Sequence, residues 1–255
     1  MDLIWEGLRD AVGMLAHNRD DVYEIAWRSL VVSGSATAIS FILGLAAGSL
    51  LAFRKIRGRF IVMTLVNTGM GVPPVVVGLV VAILLWRSGP LGDYNWIYTK
   101  KAMVLAQVII ATPIITGFTA NAFLSLNPRL RLQISALGAS RLQTLWILLQ
   151  EVRLPLLAAI MVGFGAAIHE VGASVMVGGN LAGQTRVLPG TILLKESTGD
   201  FGPALALGII LISMMIAVNA LFTWVQLGIH RDATRPRDAA ALTSNTPVVR
   251  TWLQR

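Results

Sequence analysis

The sequence predicts an all-α polytopic membrane protein with five transmembrane helices, the N-terminus outside and the C-terminus in the cytoplasm. Three observations carry this. First, 13% of the residues are charged and 55% are hydrophobic, with a mean hydropathy of +0.69. A soluble domain carries about twice that charge. Second, no charge falls from Ser29 to Phe53, Phe60 to Trp86, Ala102 to Pro128 or Phe201 to Ile229. Each run exceeds the roughly 20 residues that a helix needs to cross a hydrocarbon core. A fifth run, Leu154 to Thr185, is broken only by His169 and Glu170. Third, the charges between runs alternate in sign. Arg54, Lys55, Arg57 and Arg59 follow the first run, Arg129, Arg131, Arg141 and Arg153 the third, and Arg231, Arg235, Arg237, Arg250 and Arg255 the fifth. The other loops hold Asp20, Asp21, Glu24, Asp93, Glu196 and Asp200. Basic loops stay in the cytoplasm, which sets the orientation.

The elements follow in order. Residues 1–25 hold Leu3, Ile4, Leu8, Val12 and Leu15 on one helical face, with Asp2, Glu6, Arg9 and Asp10 elsewhere. That pattern predicts an external amphipathic helix on the membrane interface. Met1 to Glu6 lack a basic n-region, so no secretory signal peptide is expected. Residues 26–229 form the membrane domain, with spans at about 27–53, 60–86, 102–125, 155–178 and 203–228. Small residues recur in the spans, among them Gly44 and Gly48, a GxxxG match. In lipid, close approach through small residues is what packs helices; taken alone, one such match is a weak signal. Residues 230–255, rich in Arg, Asp, Ala, Thr and Pro, read as a cytoplasmic tail without a fold of its own.

Several features carry chemistry. Pro73-Pro74 in mid-span removes two backbone donors and breaks the hydrogen-bond ladder. Irregular backbone at membrane depth is tolerated only against protein or a water-filled cavity. With Asn67, Thr68, Gly69 and Gly71 beside it, this span is a candidate wall of a pathway, or simply a structural kink. Glu170 is the one acidic residue deep in a span, and such groups mark a pair, a pathway or a gate. It is expected to pair with Arg186 or His169; an interfacial position is the alternative. Ser174 lies one turn beyond it, and Thr185-Arg186 sit at the outer mouth, where a guanidinium suits a tetrahedral oxyanion or an ordinary salt bridge. Between spans three and four, residues 127–154 form a long cytoplasmic loop. Pro128 starts it and Gly138 supplies a turn between two short helices. It reads as a helical knob for a soluble partner or as a membrane-surface loop.

Other chemistries are excluded. The chain has no cysteine, so thiol chemistry and disulfides are absent. His169-Glu170 begins like a zinc-protease motif, but the position that needs the second histidine is Ala173, and His17 and His230 lie outside the spans. No Walker loop is present, so the chain does not hydrolyse ATP. The net charge of +8 reflects topology-setting loops rather than nucleic-acid binding.

The loop resembles the coupling loop of ABC importer permeases, whose pattern is Glu-Ala-Ala, three residues, Gly, then a hydrophobic residue, any residue and Leu-Pro. Gly138-Ala139-Ser140-Arg141 and Val152-Arg153-Leu154-Pro155 match it. Leu132-Gln133-Ile134 stand at the Glu-Ala-Ala positions, and the gap from Gly138 to Pro155 is about one helical turn longer than usual. Residues 163–180, residues 67–79 and Thr185-Arg186-Val187-Leu188-Pro189 resemble tungstate importer permeases, and molybdate permeases share the general layout. The resemblance implies a type I ABC importer fold in a bacterial inner (plasma) membrane. It implies that Leu137, Gly138, Ala139, Ser140 and Arg141 couple to an ATPase subunit, which uses ATP and Mg while this chain binds no cofactor. It also implies a periplasmic or extracellular oxyanion-binding protein, a second identical permease and surrounding membrane lipid. The expected cargo is tungstate, with molybdate or another tetrahedral oxyanion as the alternative. A passive channel is the reading outside this class.

Overall fold

The computed structural model describes residues 2–17, 21–54 and 57–234. Among them it holds eleven α-helices and no strand: α1 Asp2–His17, α2 Val22–Phe53, α3 Arg59–Gly71, α4 Pro74–Leu85, α5 Lys100–Leu124, α6 Pro128–Ala136, α7 Arg141–Glu151, α8 Arg153–Ile168, α9 Gly172–Gly178, α10 Leu188–Ser197 and α11 Phe201–Thr234. Three helices, α2, α5 and α11, are long and apolar enough to cross a membrane unbroken. Two bent pairs meet the same test, α3 with α4 at 100° and α7 with α8 at 70°, so the number of spans reaches five if each pair counts as one.

The first and third expected spans are single helices, and α2 begins at Val22, earlier than residue 27. The second and fourth are not straight. Residues 60–86 divide at Val72-Pro73, where both residues are extended and Pro74 opens α4. A residue before proline is pushed out of the helical region, so the break falls where the sequence puts it. Residues 155–178 divide at His169–Val171 into α8 and α9. Helix α10 was not expected; Val187 is extended and Pro189 sits in its first turn, a favourable start.

The centre is the contact of α2 with α5. A Cβ on Gly44 would stand 2.7 Å from Ile115, and one on Gly48 would stand 2.7 Å from Thr119 and 2.8 Å from the Thr116 carbonyl oxygen. Only glycine lets these helices come this close. At one end of the bundle Val32, Val81, Leu85, Met103, Ala106, Ala173 and Val177 join α2, α4, α5 and α9. At the other end Phe123, Ile134, Leu148, Val152 and Leu156 join α5 and α8 to α6 and α7.

The N-terminal helix packs against the bundle through one of its sides. Ala11 and Met14 of α1 pack with Val22, Ile25, Ala206, Leu207 and Ile210, whereas Val12 and Leu15 of the expected apolar face are exposed. A Cβ on Gly7 would meet Leu205 at 2.6 Å. The last helix continues past residue 230 to Thr234, and the rest of the expected tail lies outside the described residues.

Candidate functional site

The two breaks face each other. A cavity of about 310 Å³ is lined by Gly69, Gly71, Pro73 and Pro74 from the first break and by Ala166, His169 and Glu170 from the second, with Ile110 and Ile114 of α5 between. The halves beyond the breaks are joined tightly. A Cβ on Gly78 of α4 would lie 2.5 Å from the Ala173 Cα of α9, and one on Gly172 would lie 2.6 Å from Val75. Thus α4 and α9 form one packed unit. By contrast α3 has no buried residue; it meets α5 where Gly69 passes Pro113 and Met70 passes Gly117.

Glu170 is 6% exposed, and its Oε1 accepts from the Ala173 backbone N–H at 2.8 Å. The carboxylate therefore caps the start of α9, replacing an acceptor that the break removes. This corrects the expected pairing: among the described residues Glu170 forms no ion pair with Arg186 or His169. His169 instead turns its ring Nδ1 to the Gly165 carbonyl, one turn back. Ser174 is buried and accepts from Gln107 Nε2 at 3.2 Å, tying α9 to α5 rather than lining the cavity. Asn67 and Thr68 are exposed on α3 and stand outside the cavity's lining.

Thr185 and Arg186 sit at the far end, with the loop that precedes α10. Thr185 is buried; its hydroxyl donates to the Gly178 carbonyl and accepts from Leu181 N–H at 3.0 Å. The Arg186 carbonyl accepts from Arg28 Nη1 at 2.9 Å, and Ser29 Oγ accepts from Leu188 N–H at 2.8 Å. The loop is thereby stitched to α2. The Arg186 side chain lines a separate cavity of about 240 Å³ with Ile25, Thr191, Lys195 and Asp200. It does not reach the break cavity, so the structure divides the expected pathway residues into two groups. Nearby, Tyr98 donates its backbone N–H to the Val177 carbonyl at 2.8 Å, with its ring against Gly179.

Arg28 escapes the sequence reading because the first uncharged run starts at Ser29. It is 3% exposed, ion-paired to Glu24 one turn back and bonded to the 186 carbonyl. The Glu24–Arg28 spacing of four residues is the signal that marks it. Gln107 is the second missed residue: a buried amide in an apolar helix.

The hairpin at the opposite end is built by its caps. Asn127 accepts from Arg129 N–H at 2.9 Å to start α6, with Pro128 in the first turn. Gly138 has φ +78, the left-handed conformation that ends α6. Ser140 and Gln143 form a reciprocal capping box that starts α7. Ile134 and Leu148 are buried and fix both helices to α5 and α8. Leu137 and Leu142 are 87% and 80% exposed at the turn. Leu137, Gly138, Ser140 and Arg141 are thus an exposed tip on a rigid base, and Ala139 between them packs toward the buried residues below.

Residues 40–231 match the family model of the binding-protein-dependent transport system inner membrane component. The chain belongs to this family. It is 35% identical to the tungstate uptake system permease protein TupB of Peptoclostridium acidaminophilum, over 89% of this chain and 99% of that protein. It is 37% identical to a probable anion ABC transporter permease protein of Haloferax volcanii, over 76% of this chain and 85% of that one. The molybdenum transport permease ModB of Haemophilus influenzae is more distant, at 26% over 63% of this chain and 74% of that one. Among solved structures, the inward-facing MetNI methionine ABC transporter superposes with a TM-score of 0.63 at 20% identity, over 84% of this chain and 96% of that chain; it shares the fold.

The chain is therefore an ABC importer permease, a multi-pass membrane subunit. The family match spans α3 to α10 whole, so the capped hairpin and the broken helices are parts of the permease domain, while α1 lies outside the match.

Proposed function

We propose that this permease carries an oxyanion, tungstate, into the cell in an ATP-driven importer. The observation that supports the cargo is the similarity to a tungstate permease across 99% of that protein's length. Molybdate is the second reading, supported by the more distant molybdenum permease.

The hairpin supports the coupling role. Leu137, Gly138, Ala139, Ser140 and Arg141 dock on an ATPase subunit, which binds ATP and Mg. Because Ile134 and Leu148 join the hairpin to α5 and α8, movement of the tip is passed to the bundle. Two identical copies flank the path, each with five spans, N-terminus outside and C-terminus in the cytoplasm of an inner-membrane cell. ATP binding draws the hairpins together; α4 and α9 move as a unit about the two breaks and open the path to a loaded binding protein. Glu170 repels an oxyanion, so its work is to hold the start of α9 rather than to bind cargo. Contacts along the path are weak and transient, and the tight site belongs to the binding protein.

Reconstitution with the ATPase and the binding protein tests this. ATP-dependent uptake of tungstate is expected, and it should vanish with Gly138→Asp while membrane insertion persists. Uptake that continues without the ATPase after removal of residues 132–146 would establish a channel instead. Faster uptake of molybdate through the same complex would change the cargo.

A further inference from the structure

A further cavity lies between the end of α2 and the hairpin, with Ala139 and Arg141 of the expected coupling residues in its wall. It encloses about 630 Å³, inside the roughly 300–1,000 Å³ range of small-molecule sites. Three cations line it: Arg54 just past α2, Arg131 of α6 and Arg141 of α7. No acidic residue lines it, and among the described residues none of the three forms an ion pair. Arg131 lies over the Phe53 ring at 5.4 Å, which supports the guanidinium face and leaves its N–H edge for an anion. Ser135 adds a hydroxyl with no hydrogen-bond partner among the described residues, whereas those of Ser49 and Thr144 donate to their own helices.

The rest of the wall is apolar. Leu50, Phe53, Leu145 and Leu148 line it. Leu50 and Phe53 belong to the uncharged run 29–53, so one side of the cavity reaches the depth of acyl chains and the other carries positive charge. That division, cations at the edge of the hydrocarbon with apolar surface beneath, fits a phospholipid and does not fit a free ion, which has no use for the apolar half. Ala139, Arg141 and Leu142 of the tip share the wall, so a soluble partner is the competing occupant, while Leu137, 87% exposed, stands outside the lining.

We propose that this cavity binds the phosphate headgroup of an anionic phospholipid, which braces the hairpin against α2. The proposal rests on the assignment of the hairpin end to the cytoplasmic face, but its test does not use transport. The full chain, purified in nonionic detergent, would be titrated with phosphatidylglycerol and with phosphatidylcholine and read by native mass spectrometry. Phosphatidylglycerol should bind preferentially. Arg54→Gln with Arg131→Gln should weaken it roughly 30-fold, at about one kcal/mol per basic residue. Arg87→Gln with Lys100→Gln, an equal loss of charge at the other end, should change it less than about threefold. Ser135→Asp, at an exposed position, should weaken binding as much as the double arginine change and covers the case in which that double variant fails to fold. Equal losses in the two doubles overturn the proposal. So does displacement by millimolar inorganic phosphate, which would make this a free-anion site, or by the ATPase subunit, which would make it a protein interface. Failure here with ATP-driven uptake intact leaves the importer reading standing; ATPase-independent uptake with lipid binding intact does the reverse.

Discussion

The contact of α2 with α5 and the contact of α4 with α9 are made in the same way and serve opposite ends. Both depend on glycines whose Cβ would collide with the neighbour, at 2.7 Å for Gly48 and 2.5 Å for Gly78. Yet α2 and α5 run unbroken for 32 and 25 residues, while α4 and α9 are 12 and 7 residues long and each begins at a break. A long helix held along its length cannot shift without losing every contact at once. A short helix with a break beside it can move as a block. The difference teaches that close packing alone does not make a rigid part; continuity of the hydrogen-bond ladder does.

The largest effect that can break this comparison is on the frame. Gly48→Leu puts side-chain atoms on the Thr116 carbonyl and the Thr119 side chain, and overpacking that cannot relax costs about 3 kcal/mol or more. The yield of monodisperse protein and its thermal midpoint should both collapse. Gly78→Leu meets the closer obstacle, but α4 can shift at Pro73-Pro74, so its cost should be smaller, about 1–2 kcal/mol. If Gly78→Leu proves the worse of the two, the mobile-unit reading of α4 and α9 fails.

Next in size is the break itself. Pro73→Ala with Pro74→Ala restores two N–H donors and lifts the restriction on Val72, so α3 and α4 can join into one helix. Proline in a helix interior costs about 3 kcal/mol, and removing that cost favours the straight form by the same order. Uptake by the reconstituted importer should fall below about a tenth of native, with the protein folded and no less heat-stable. Native uptake in this variant would show that the 100° bend is dispensable.

The sequence is most informative where a local rule acts alone. The uncharged runs give α2, α5 and α11; Pro128, Gly138 and Ser140 give the hairpin, because capping and turn chemistry are set by neighbours in sequence. The break at Pro73 is legible for the same reason. The break at Glu170 is not, since no proline marks it; there a charged side chain replaces a backbone acceptor, and which donor it finds depends on how the chain refolds after it. The pairing of Glu170 with Arg186 was expected from charge alone, and the fold separates them into different cavities. Arg28 shows the converse. A charge just ahead of the first uncharged run turns inward, where it meets the 186 carbonyl and Glu24.

A smaller effect separates capping from charge at Glu170. Glu170→Gln keeps an oxygen to accept the Ala173 N–H, so stability should stay within about half a kcal/mol of native. Glu170→Ala removes the cap and should cost about 1 kcal/mol, in the range of lost N-caps. Thermal unfolding in detergent measures both. Equal destabilisation by the two would mean that the negative charge, not the acceptor, holds the start of α9.

The smallest effect tests how firmly the mobile unit is tied to the frame. Gln107 of α5 and Ser174 of α9 are both buried, and their 3.2 Å hydrogen bond joins the two helices. Hydrogen bonds between membrane helices average about 0.6 kcal/mol, because each partner finds substitutes in the unfolded state. A double-mutant cycle with Gln107→Leu and Ser174→Ala should therefore return a coupling of about 0.6 kcal/mol. That is a small addition to the packing of Ala173 and Val177 against Met103 and Ala106, which is the main tie between the two helices. A coupling of about 2 kcal/mol or more would weld α9 to α5, and the moving wall would then have to be α3, the helix with no buried residue.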